Sequence, residues 1–91
     1  MPDDALPGQD LVDRGLADLA AGVVSVESLL VSAGAPRLRA IGIDVTAALP
    51  DPERRLYELL AESDPDAAHG RYNALIRRLV SFERAAECAG P

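Results

Sequence analysis

Lysine and tryptophan are absent from this sequence of 91 residues, and cysteine and histidine occur once each. With Cys88 alone, no disulfide can close within the chain, and with His69 as the sole imidazole there is no Cys and His set to hold zinc. The aromatics are Tyr57, Tyr72 and Phe82 only. The core must therefore be filled by Leu, Val, Ile and Ala, each burying less area than a ring. No apolar run approaches the roughly 20 residues of a membrane-crossing helix, and the opening Met1-Pro2-Asp3-Asp4 is acidic where a secretory leader would be basic. A cytoplasmic protein is the expectation.

Positive charge is also scarce, with nine Arg against fifteen Asp and Glu for a net charge of −6. That balance favours solubility and disfavours phosphate backbones and anionic lipid, so neither nucleic acid nor membrane is the expected partner. The charge is uneven. Residues 1–35 carry six acids and only Arg14, whereas residues 36–91 carry nine acids and eight Arg.

What the chain does contain is helical periodicity. A domain this small buries roughly 60–65% of its unfolded surface, a thin core of the kind that often leans on a partner. Residues 1–9, with Pro2, Pro7 and Gly8, are expected to be a flexible lead-in to a single helical domain over 10–89. Asp10 is the expected N-cap of a first helix through about Ala21, its stripe Val12, Leu16, Leu19 and Val23, ended by Gly22. Gly15 within it costs about 1 kcal/mol relative to Ala, so it marks either a close helix approach or a frayed start. Ser25 caps a second helix carrying Val26, Leu29, Leu30 and Ala33, with Glu27 in its first turn and Gly34 at its end. Pro36 opens a short third helix that Gly42 closes, and Ile43 to Pro50 lacks helical spacing and predicts an extended connector.

Two similar cap signals follow. Asp51-Pro52-Glu53 predicts a helix carrying Leu56, Leu59 and Leu60, and Asp64-Pro65-Asp66 predicts the start of the last helix, with Ser63 to Asp64 as the turn between them. That last helix is the longest and most periodic, with Ala68, Tyr72, Leu75, Leu79, Phe82 and Ala86 on one side, and reads as the element around which the chain is organised. The expected fold is a small all-α bundle of four to five helices with a C-terminal helical hairpin.

Three features bear on function. Arg71 and Arg78, and likewise Arg77 and Arg84, stand seven residues apart on the last helix, each pair on nearly one side. They form either a solvated face with local pairs such as Arg84 to Glu87, or a surface for a partner's carboxylates or phosphates, with Tyr57 as a candidate interface anchor. Residues 25–42 can also be read as a short helix-turn-helix, with Arg37 and Arg39 leading a DNA-reading helix of about six residues. Against this, the helix is short and its surroundings acidic. Catalysis is not expected: His69 has no metal-spaced companion, Cys88 no arranged base, and Gly34 and Gly42 no phosphate-loop pattern around them. No catalytic residue, metal or cofactor is assigned.

The run Glu53-Arg54-Arg55-Leu56-Tyr57-Glu58-Leu59-Leu60, followed by Asn73-Ala74-Leu75-Ile76-Arg77-Arg78-Leu79, resembles small uncharacterised all-helical proteins of GC-rich bacteria, without a defined family motif. The resulting expectation is a non-enzymatic, acidic interaction module, antitoxin-like or regulatory, that binds another protein, itself as a homodimer, or both. A DNA-binding regulator is the alternative.

Overall fold

The computed structural model describes residues 6–89, which form five helices: α1 (Gln9–Ala20), α2 (Val26–Ala33), α3 (Ala35–Ala40), α4 (Pro52–Ser63) and α5 (Ala68–Ala89). Among the described residues there is no strand, and the fold is a small all-α bundle. None of its helices is long and apolar enough to cross a membrane.

α1 begins one residue before the expected cap. Gly8 is the N-cap, in the left-handed region at φ 75°, where glycine bears no Cβ penalty. A side chain there would also collide with α5, because a Cβ would stand 2.7 Å from the Arg78 carbonyl oxygen. Asp10 therefore sits inside the first turn, favourable to the helix dipole, and pairs with Arg78 at 3.3 Å. Leu6 and Gln9 exchange two hydrogen bonds, of 2.8 and 3.0 Å. Residues 6–9 thus belong to the folded unit and not to a lead-in; residues 1–5 of that expectation lie outside the described residues. At the other end Gly22, at φ 73°, follows the Ala21 cap. Val12 and Leu19 are buried, but Val23 lies past the helix end and is 46% exposed.

Ser25 does cap α2, and the reciprocal partner is Ser28. Ser28 donates its amide to Ser25 Oγ at 3.0 Å, and Ser25 donates its amide to Ser28 Oγ at 2.7 Å. The Ser25 hydroxyl also donates to Asp18 at 2.6 Å, tying the end of α1 to the start of α2. Gly34 serves both as C-cap of α2 and as N-cap of α3, so no separate turn lies between these helices.

The two Asp-Pro signals end differently from one another. Asp51 is the N-cap of α4, but its left-handed backbone (φ 47°, ψ 48°) leaves it with no side-chain cap bond. Its carboxylate pairs with Arg54 at 3.1 Å instead. Asp64 is the C-cap of α4 and not the start of α5. Its backbone is extended, as a residue before proline prefers, and Pro65 enters a turn closed by Ala67 N–H to Asp64 O at 3.2 Å and to Asp64 Oδ1 at 3.3 Å. The connection is thus Asp64–Ala67, and α5 starts at Ala68. Pro at a helix start and Pro in a tight turn demand the same φ, so the dipeptide alone does not separate them.

The centre of the bundle is α2, not α5. Leu29 is 1% exposed and Leu30 and Val31 are fully covered, with α1, α3, α4 and α5 all packed against this one helix. From Ser28 to Pro36 it and its continuation carry no charge, the signature of a segment buried all round. Two serines take part in that burial. Ser32 Oγ donates to Ser28 O at 2.8 Å and accepts the Leu49 amide at 2.9 Å, which fastens the connector 43–50 to the core. Val45 is buried in the same connector, and Ile43 and Leu49 are half-buried. Leu56 and Leu60 of α4 and Ala68, Leu79 and Phe82 of α5 complete the core.

Candidate functional site

The arginines of α5 fall into two groups, set by the 100° rotation per helical residue. Arg77 and Arg84 project nearly opposite Leu79 into solvent, while Arg71 and Arg78 lie beside the core face. Arg71, Arg78, Ala74 and Leu75 line one wall of an open groove of about 360 Å³, and Val26 and Glu27 of α2 line the other. The lining mixes apolar Val26, Ala74 and Leu75 with charged Glu27, Arg71 and Arg78. The α2 wall stands where it does because Ser25 caps that helix and because α1 crosses it at Gly15.

Arg78 reaches Asp10 at 3.3 Å, with the two side chains 51% and 76% exposed, so the pair is solvated and weak. Arg71, Arg77 and Arg84 make no ion pair with a described residue. Nor does Glu27, although it faces the same groove as Arg71. The expected local pair of Arg84 with Glu87 does not form; Glu87 reaches Arg37 at 3.5 Å instead. Arg84 and Glu87 are three apart on one helix, whereas Arg37 comes from α3 above the end of α5.

Tyr57 belongs to a separate patch. Its ring lies 5.8 Å from Tyr72 and 6.5 Å from His69, both tilted, and the residue is 40% exposed. Tyr72 is half-buried, and burial, then the nearby Glu53, raises its phenol above the usual range. His69 is exposed and shares a 3.2 Å contact with Asn73. The five residues read from sequence as one interaction surface therefore occupy three places: the groove (Arg71, Arg78), the outer face of α5 (Arg77, Arg84), and the aromatic patch (Tyr57).

The residues of the DNA-reading alternative are engaged within the chain. Arg39 donates from Nε and Nη2 to the Val45 carbonyl at 3.0 and 2.7 Å, and Arg37 faces Glu87. α3 has six residues. Among the described residues no group of three or more His, Cys, Asp or Glu is placed to hold a metal ion, and Cys88 is free and exposed.

One charged side chain escaped the sequence reading. Glu83 is only 4% exposed, over the α2–α3 junction, its Oε2 3.1 Å from where a Cβ on Gly34 would stand. Burial raises its carboxyl above the usual range, against the pull of Arg37 and with the help of Glu87. Its spacing was the available signal: Glu83 follows Leu79 by four and precedes Ala86 by three, which puts it on the apolar side of α5.

Compared with known proteins, the chain matches no family model, no curated protein and no solved structure.

Proposed function

We propose that this chain is a non-enzymatic, cytoplasmic interaction module whose working surface is the groove between α2 and α5. The observation that carries this reading is the groove itself: an open recess lined by apolar Val26, Ala74 and Leu75 and by charged Glu27, Arg71 and Arg78 lies on a chain of 91 residues. A pocket of this kind can take an anchor side chain of a protein partner, and Arg is favoured at interfaces. An acidic subunit that regulates or neutralises a larger partner, as an antitoxin does, fits the size and the net charge of −6. The nucleic-acid reading has less support, since Arg37 and Arg39 already hold partners inside the chain.

The test is affinity capture with a tagged chain expressed in its source organism beside an untagged copy, with and without nuclease, read by mass spectrometry. A stoichiometric, nuclease-resistant protein, whether foreign or the untagged copy, is the expected result. Recovery of nucleic acid alone, or of no protein at all, overturns the reading.

A further inference from the structure

Resting on the groove as the working surface, we infer that its occupant is a second copy of this chain, docked by a two-fold axis. The segment just before α2 presents Val23 at 46% and Val24 at 51% exposure, two of the three exposed large hydrophobic residues among the described residues. They precede Val26, which lines the groove, by three and two residues. An exposed apolar segment therefore adjoins, along the chain, the α2 end of an apolar recess. Its volume of about 360 Å³ is more than twice the ~150 Å³ that holds a benzene molecule in an engineered cavity, which is room for aliphatic side chains.

The charges on this face are paired in the same way. Arg71 and Glu27 both line the groove, yet neither makes an ion pair with a described residue. In a two-fold interface each patch meets its own copy, so it must contain both halves of every contact. This face does: exposed valines with recess, cation with anion. A foreign partner would need only one half of each on this chain. In the dimer, Val23 and Val24 of each copy enter the recess of the other, and Arg71 of each copy faces Glu27 of the other. The small core gives the chain a further reason to cover this surface.

Sedimentation equilibrium of the full chain over micromolar to millimolar concentrations tests the inference. The mass should rise with concentration from 9.6 kDa toward twice that value. Val24→Glu, at an exposed position, should weaken the dimer by at least about tenfold, the effect of stranding a charge against an apolar wall. Ala74→Glu, at an exposed position that lines the groove, should do the same. Arg71→Glu and Glu27→Arg should each weaken it by roughly three- to tenfold, and the double variant should recover most of the loss, as coupled charges do. Circular dichroism confirms that each variant remains helical. A wild-type chain that stays at 9.6 kDa at every concentration overturns the dimer, as does a double variant no better than its parents. Either result leaves the interaction-module reading standing if a foreign protein is captured, and only an empty capture removes both.

Discussion

The backbone of Gly15 in α1 faces the carbonyl of Glu27 in α2 so closely that a Cβ on Gly15 would stand 2.4 Å from that oxygen and 2.4 Å from Val31 Cγ2. Neither neighbour can yield, because one is backbone and the other is a fully covered core side chain. Replacing Gly15 by Ala improves helix propensity by about 1 kcal/mol, but overpacking costs roughly 1–3 kcal/mol and more where backbone must shift. Gly15→Ala should lose stability by about 1–2 kcal/mol net, read from denaturant midpoints. Gly70→Ala is the control. A Cβ at Gly70 meets nothing within 4 Å and its φ is ordinary, so that variant should gain up to about 1 kcal/mol.

Ser25 and Ser32 hold the two irregular segments to α2, and each can be removed separately. Ser25→Ala loses the cap bond from Ser28 and the bond to Asp18, and should cost about 1–2 kcal/mol. Ser32→Ala strands the Leu49 amide, which is part-buried, at a cost on the order of 1–3 kcal/mol. The two differ by location in hydrogen exchange. Loss of Ser32 should raise exchange in residues 43–50, while loss of Ser25 should raise it in the first turn of α2.

Helices were legible from this sequence wherever a stripe and a stop signal agreed. Gly22, Gly34 and Gly42 lie at the ends assigned to them, and Ser25 caps α2. Length, however, misled about the centre. α5 has 22 residues but fully buries only Ala68, Leu79, Phe82 and Glu83 among those described, whereas α2, with eight, is covered on nearly every side. Absence of charge over Ser28 to Pro36 was the better guide to burial than length. Of the two Asp-Pro caps, Asp51 does stand at the N-cap of α4 with Pro52 in the first turn but, left-handed, makes no side-chain cap bond, whereas Asp64 ends α4 and leads into a turn; backbone conformation is invisible in residue type. The groove was only half legible, since Arg71 and Arg78 share a helix face by spacing, but the α2 wall that makes them a site is a tertiary fact.

Arg39 should prove structural. Its guanidinium donates twice to the Val45 carbonyl and so pins a connector containing left-handed Ala47. Arg39→Lys keeps the charge but loses the fork. It should cost about 1 kcal/mol, read by thermal melting, and raise the exchange of residues 43–50. If Arg39 served nucleic acid instead, its loss would leave that exchange unchanged.

Glu83 supplies the pH dependence. Burial raises its folded pKa above the ordinary 4.5, despite Arg37 on α3 and with Glu87 adding to the rise. The protonated form is therefore the one the fold favours. Its contribution to stability is complete below about 4.5, the unfolded value, and is lost as pH rises through the folded pKa. Glu83→Gln keeps the shape and removes the charge. At pH 7 the variant should be more stable than the parent by on the order of 1 kcal/mol, the scale of burying an imperfectly compensated polar group, or roughly 4–8 °C in Tm for a domain of this size. At pH 4 the difference should shrink toward zero, because there the parent carboxyl is itself neutral. Thermal melts of both proteins between pH 4 and 8 measure this directly. An advantage for Gln that stayed constant across the range would remove Glu83 as the source of the pH dependence, and a loss at pH 7 would show that the attraction of Arg37 outweighs burial at this position.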